Sequence, residues 1–214
     1  GAAIPQTNIP KVPTSAQVLD FGKSDYLKIA EYTTMKNGYV INPASDNANE
    51  RDPNKRAFLT GSSREYINQE FKSGSKKIID GKKYKNPYDC LISSTYAKAN
   101  SLSVGDEITI DLISYGDFSQ VEQGKDPVET YERKTFTISG IYQDFSINNS
   151  QMTNQMAEIL VDFDTLVNLE TFDMNSEMEI FGTFFLKTPD MLDDFTKELR
   201  DKGLSEDMDV LTDE

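Results

Sequence analysis

Ser101-Leu-Ser-Val-Gly-Asp-Glu-Ile-Thr-Ile110 reads as a helix giving way, through a tight Val-Gly-Asp turn, to a strand of alternating apolar and polar residues. Working back from this corner, Ser93 to Asn100 reads as a short helix capped by hydroxyls, and Cys90-Leu-Ile92 as a buried strand. Working forward, Ile108, Ile110 and Leu112 alternate with Thr109 and Asp111. In the next run Phe136, Ile138 and Tyr142 alternate with Thr135, Thr137 and Ser139. Period two over such lengths predicts half-buried antiparallel strands with one wet face. The Gly- and charge-rich stretch between them, Tyr115 to Glu132, is expected to project.

The flanking sequence is less regular. Residues 1–16 hold Pro5, Pro10 and Pro13 among small polar residues and read as an extended lead-in. Tyr26 to Ile41 reads as strand, and Asn42 to Asn54 as a long, mobile polar stretch rich in turn residues. Ser62 and Glu65 have capping-box spacing, which predicts a helix to about Ser73 with Tyr66, Ile67 and Phe71 on its apolar side and Gly74 as its left-handed cap. Lys76 to Tyr84 reads as a short strand entering an Asp-Gly turn.

In the last third, the pattern predicts a strand over Glu158–Asp162, a short helix from Asp164 to about Glu170, and a strand over Glu179–Lys187. The clearest helix follows. Thr188 caps it, Pro189 takes its first position, Asp190 complements its dipole, Met191, Leu192, Phe195 and Leu199 share one face, and Gly203 ends it. Glu198 and Lys202 stand at i,i+4, and Met208 to Leu211 reads as a closing strand. Strands and short helices thus alternate around a more purely β middle. The fold class is α+β, with a mixed-sheet lobe carrying short helices (about 17–90 and 150–214) and a smaller β-rich lobe (about 91–149), within one domain of 214 residues.

Composition excludes much chemistry. With no histidine there is no Ser-His-Asp or Cys-His relay and no zinc site of the usual ligand set, and with no tryptophan a sugar site lacks its common platform. Cys90, the sole cysteine, sits in Tyr88-Asp-Cys-Leu-Ile92 and reads as a core residue. Asp162-Phe-Asp164 begins like a calcium loop, but the glycine required at the sixth position is Val167. Neither a catalytic residue, a metal nor a cofactor is expected. Lys76, Lys77, Lys82, Lys83 and Lys85 surround Tyr84, and they read as solvated guards of an exposed strand edge rather than a nucleic-acid patch.

The formal charge of −14 is concentrated at one end: residues 151–214 carry 17 acids against Lys187, Lys197, Arg200 and Lys202, and the rest is nearly neutral. Such a surface repels nucleic acid and favours a positive partner. Apolar runs reach three residues, as in Ile159-Leu-Val161, where a membrane-spanning helix needs about 20. The start Gly-Ala-Ala-Ile-Pro lacks the basic and apolar regions of a signal peptide and reads as the start of a fragment.

The segment Ile92-Ser-Ser-Thr-Tyr-Ala-Lys-Ala-Asn-Ser-Leu-Ser-Val-Gly-Asp-Glu-Ile108, followed by Phe136-Thr-Ile-Ser-Gly-Ile-Tyr142, resembles the extracytoplasmic domain of MacB/FtsX-like ABC transporter permeases. Those proteins carry runs of the type ISxxxAxxxxLxVGDxI and FxIxGIY. Lys77-Ile-Ile-Asp-Gly-Lys-Lys-Tyr84 is similar to their I-x-x-G-R/K-x-F/Y segment, Glu158 to Leu166 to their strand and short helix, and Phe185 to Phe195 to their closing strand and helix. The resemblance runs in order over about residues 60–212, and the first 60 residues match only loosely.

The resemblance implies a domain borne between two transmembrane helices of a permease, on the extracellular side of the cell membrane. There it contacts a substrate or partner protein and moves with a separate cytoplasmic ATPase subunit. The lysine-rich, histidine-free composition tilts the source towards a Gram-positive organism. A cationic peptide, as in antimicrobial peptide export or resistance, suits the acidic last third, with Asp193, Asp194 and Glu198 as the surface expected to receive it. The alternative from the same residues is a free or wall-attached extracellular binding or adhesion module. An enzyme is not expected.

Overall fold

The computed structural model describes residues 12–44, 51–63, 69–115, 124, 128–146 and 156–208. Its elements in chain order are α1 (Ser15–Phe21), β1 (Leu27–Ile41), β2 (Arg56–Ser62), α2 (Gln69–Ser73), β3 (Lys76–Gly81), β4 (Asp89–Ser93), α3 (Ser94–Ala99), β5 (Glu107–Tyr115), β6 (Glu129–Asp144), β7 (Met156–Asp162), α4 (Phe163–Val167), β8 (Ile180–Leu186) and α5 (Leu192–Asp201). The class is α+β, with one mixed eight-stranded sheet and short helices. Residues 1–31 with 173–214 form one compact unit, and residues 32–172 another. That division differs from the lobe boundaries expected near residues 90 and 150. The physical reason is hydrogen bonding: β4 and β3 pair with β6, so strands assigned to separate lobes share one ladder.

In the unit of residues 32–172, strand pairing runs β2–β7–β4–β6–β5–β1, and β1 pairs back onto β2 through Thr33–Tyr39 against Arg56–Ser62. The ladder therefore closes into a six-stranded ring. Its interior holds Leu59, Cys90, Ile92, Ile108, Ile110, Leu112, Phe136, Ile138, Ile159 and Val161, alternate residues of their strands, and these form the main core. A one-residue shift in the β4–β6 register keeps this packing in phase: Cys90 faces Ile138 but Leu91 faces Gly140, so Ile141 takes over the inward position. Outside the ring, Leu91, Tyr142, Leu160 and Tyr84 form a second cluster, covered by Ile78 and by Phe71 of α2.

The corner at Val104–Asp106 serves this closure. β6 pairs with β5 up to Thr137 and, along the same edge, with β3 from Gly140 onward. The corner fits where the partners change. Gly105 adopts φ 94°, its N–H donates to Ile138 O at 2.8 Å, and Ile138 N–H donates to Asp106 O at 2.9 Å. Asp106 also accepts from Ser103 N–H at 2.8 Å. Upstream, Ser93 caps α3 by accepting from Tyr96 N–H at 3.1 Å, as its sequence predicts.

In the other unit, α1 and α5 pack Phe21, Phe195 and Leu199 against Leu27 at the start of β1, with Phe184 and Leu186 of β8 joining them. α1 replaces part of the expected extended lead-in. Thr14 and Gln17 form a reciprocal capping box, and the three prolines all precede it.

Other differences are local. Ser62 ends β2 instead of capping a helix; α2 starts at Gln69, Gly74 adopts φ 83° as predicted, and Glu65, Tyr66 and Ile67 lie outside the described residues. Pro189–Met191 is a 3-10 turn ahead of α5, and Thr188 makes no side-chain cap. Of the expected projecting stretch, Tyr115 belongs to β5 and Glu129–Glu132 to β6, while residues 116–123 and 125–127 lie outside the described residues. The closing strand expected over 208–211 also lies largely outside them.

Candidate functional site

Asp193, Asp194 and Glu198 sit together on α5, with Asp193 and Asp194 exposed in its first turn. Carboxylates there suit the positive end of the helix dipole. The buried Phe195 and Leu199 fix which side of α5 faces the core, leaving both aspartates outward. Glu198 is differently placed: it accepts a short hydrogen bond from Ser24 Oγ and pairs with Lys202 Nζ at 3.3 Å. It therefore joins α5 to the segment after α1, and the two aspartates are the outward part of the acidic surface.

The lysine-rich strand departs from its expected role at one residue. Lys76 is 4% exposed, with Nζ 3.0 Å from Glu70 and 3.3 Å from Glu158, above the Tyr142 ring. Burial works to lower its pKa, but hydrogen bonds and charge from Glu70 and Glu158 outweigh it and hold the pKa above the ordinary lysine value. Lys76 is thus a structural ion joining β3, α2 and β7, not a solvated guard. Lys77, Lys82, Lys83 and Lys85 do not share its burial.

Two other residues singled out by the sequence have structural roles. Burial, with Asp89 adding, pushes the Cys90 thiol up to about 12, which suits a core side chain and not a nucleophile. Asp162 caps α4 by accepting from Asp164 N–H at 3.1 Å.

Asp111 corrects the expectation of a wet outer face on β5. It is 2% exposed, and it takes Arg133 in a two-point pair, Nε at 2.7 Å and Nη2 at 3.0 Å, and Arg51 Nη2 at 3.2 Å. Arg51 also lies over the Tyr131 ring at 3.3 Å. The end of the polar stretch Asn42–Asn54 is thereby strapped onto β5 and β6.

A feature without a local sequence signal is a cleft of about 480 Å3 at the α3 end of the ring. Its floor includes Ile41, Ile108 and Ala157, and Lys55, Arg56 and Asn100 stand at its rim. The lining comes from β1, the turn before β2, the first residue of β2, α3, β5 and β7, so only the ring closure assembles it. Ala157, a small inward residue near the start of β7, is part of that floor.

No protein-family model and no curated protein matches the chain. Among solved structures, it is similar to the periplasmic region of MacB from Actinobacillus actinomycetemcomitans, with a TM-score of 0.51 and 12% identity over 94% of this chain and 79% of that one. This chain has the fold of the MacB periplasmic region. A domain of a permease protein from Porphyromonas gingivalis gives a TM-score of 0.46 at 16% identity, covering 92% of this chain and 73% of that one. The extracellular domain of the ABC-type transporter YknZ from Gram-positive bacteria gives 0.47 at 13%, covering 91% and 86%. Among the described residues no helix is long and apolar enough to cross a membrane. The MacB-type fold is consistent with the order of motifs from Lys77 to Phe195, whose strands and helices occur as β3, β4, α3, β5, β6, β7, α4, β8 and α5.

Proposed function

We propose that the chain is the non-enzymatic extracellular domain of an ABC transporter permease, carried by transmembrane helices of the same permease and moved by a cytoplasmic ATPase subunit. The observation that carries this reading is the fold likeness to the MacB periplasmic region over 94% of the chain, together with the motif order that the sequence shares with such domains. The ring is suited to the role: a closed ladder has no free edge within it and keeps its shape when pushed from one end. The substrate or sensed ligand is a cationic peptide, drawn to the acidic last third and to Asp193 and Asp194 on α5.

The test uses the full-length gene. It should encode an apolar helix of ~20 residues on each side of this segment. Replacing the segment by a Gly-Ser linker should abolish export or peptide resistance while the permease still inserts and still binds its ATPase. Absence of the flanking helices, or transport that survives the replacement, would overturn the proposal.

A further inference from the structure

The two ends of the ring in the unit of residues 32–172 are filled differently. At one end α4 and the turn after it seal the interior: Leu166 and Leu169 are buried, and a side chain at Gly61 would press on Leu166 Cδ1 at 3.0 Å. At the other end the inward residues of β2 and β7 are Ala57 and Ala157, and the helix lying there, α3, presents Ala97 to the core. Of these three small residues Ala157 lines the cleft of about 480 Å3, beside Tyr96 of α3. That volume lies within the roughly 300–1,000 Å3 of small-molecule sites, which favour the mouths of β-barrels.

The lining has a direction. Its floor is apolar, with Ile41, Ile108 and Ala157 all buried, whereas Lys55, on the turn before β2, and Arg56, the first residue of β2, are exposed at the rim. Arg56 is held over the Tyr39 ring at 5.9 Å, so its position is set by β1. Glu107 is the acid of the lining and belongs to β5. In a chain of net charge −14, two adjacent cations over an apolar floor are local, specific complementarity.

We infer that this mouth is a binding site for an apolar carboxylate, with the aliphatic part on the Ile41–Ile108–Ala157 floor and the carboxylate at Lys55 and Arg56. A guanidinium meets a carboxylate through two parallel hydrogen bonds, and an ammonium adds a point charge. The free C-terminus of an apolar peptide and a medium-chain fatty acid share this chemistry. The site belongs to another unit than the α5 acids and does not depend on the permease reading.

Amide chemical shifts of the intact 214-residue chain test it, with four probes: N-acetyl-Ala-Val-Leu as the free acid, the same peptide as its C-terminal amide, octanoate and octylamine. The free-acid peptide or octanoate should shift the amides of Ile41, Ala57, Ile108 and Ala157. Each carboxylate that binds should bind about tenfold or more tightly than its uncharged or cationic counterpart. The peptide alone binding identifies a chain terminus, octanoate alone a fatty acid, and both support the site. Lys55→Glu with Arg56→Glu, on exposed positions, should erase the preference, and Leu102→Trp should fill the cleft and abolish binding. No shift at the mouth with either carboxylate, equal affinity for amide and acid, or an unchanged preference in the double variant would overturn the inference.

Discussion

Arg133 closes a two-point pair on Asp111, Nε to Oδ1 at 2.7 Å and Nη2 to Oδ2 at 3.0 Å, from the neighbouring strand β6. Arg51 reaches the same carboxylate from outside the ladder at 3.2 Å. One buried anion is thus shared by two cations, and the members are unequal. Asp111→Ala would leave both guanidinium groups without their common partner and should cost about 3 kcal/mol. Arg133→Ala keeps the Arg51 contact and removes a side chain that is 39% exposed, so it should cost about 1 kcal/mol. Urea denaturation at pH 7 measures both, and equal losses would show that the carboxylate does not tie the two cations together.

Glu132 offers a pH test. Burial works to raise its pKa, but hydrogen bonds from Thr171 Oγ1 at 2.9 Å and from the Glu170 and Thr171 N–H groups, with the charge of Lys134, lower it below 4.5 overall. A depressed folded pKa gives stability that is present above the unfolded value and is lost as pH falls through the folded one. Glu132→Gln should therefore cost about 1–2 kcal/mol at pH 7. Its curve of stability against pH should converge on that of the wild type in the acid limb below about 4.5. A constant offset down to pH 2 would mean that the carboxylate charge is not what binds residues 170–171 to β6.

The central relay was legible because its signals are local. Ser93 capping α3, Gly105 at the turn, and the alternation of β5 and β6 all lie within a few residues of what they control. The closure of β1 onto β2 was not, since nothing in Thr33–Tyr39 specifies Arg56–Ser62 as its partner. For the same reason Asp111 and Lys76 read as solvent-facing: their counter-ions Arg51 and Glu158 come from distant parts of the chain. α1 is a different case, for its capping box stands in Thr14 to Gln17 and was obscured by Pro13 beside it. Of the acidic surface, Asp193 and Asp194 followed from helix periodicity, whereas the bond from Ser24 to Glu198 required the fold. The cleft left no local signal, because its lining is gathered from separate elements.

The corner can be tested by comparing two glycines. Gly81 adopts φ 69°, and an added Cβ would collide with Ser139 O and meet Val104 Cγ2 at 2.9 Å. Gly105 adopts φ 94° with nothing within 4 Å of an added Cβ. Gly105→Ala thus carries only backbone strain, about 1–2 kcal/mol. Gly81→Ala adds displacement of the β3–β6 ladder and should cost at least about 3 kcal/mol, or prevent folding. Thermal unfolding ranks them, and the reverse order would contradict the packing of the corner against Ser139.

Cys90 supplies a probe of the ring interior. It is wholly buried between β6 and β7 and its thiol is pushed up to about 12, so both access and thiolate fraction are low at neutral pH. A thiol-disulfide reagent at pH 8 should leave the native chain unmodified over hours and react with one equivalent in denaturant. Labelling at intermediate urea should follow the global unfolding curve. Rapid labelling of the native protein would show that the ring opens locally between β4 and its neighbours.

The two outward acids of α5 separate recognition from stability. Asp193→Lys with Asp194→Lys reverses charge at exposed positions and leaves the Ser24–Glu198–Lys202 connection untouched. Its structural cost comes from placing cations in the first helical turn, about 1 kcal/mol in all, visible as a small shift in urea midpoint. If the surface receives a cationic peptide, affinity for a Lys- and Arg-rich peptide should fall about tenfold or more at low ionic strength, and the difference should shrink as salt rises. Glu198→Gln should behave in the opposite way, lowering stability through Ser24 and Lys202 while changing peptide affinity less. A peptide affinity that ignores the double charge reversal would remove α5 from the recognition surface, with the fold and the permease reading left standing.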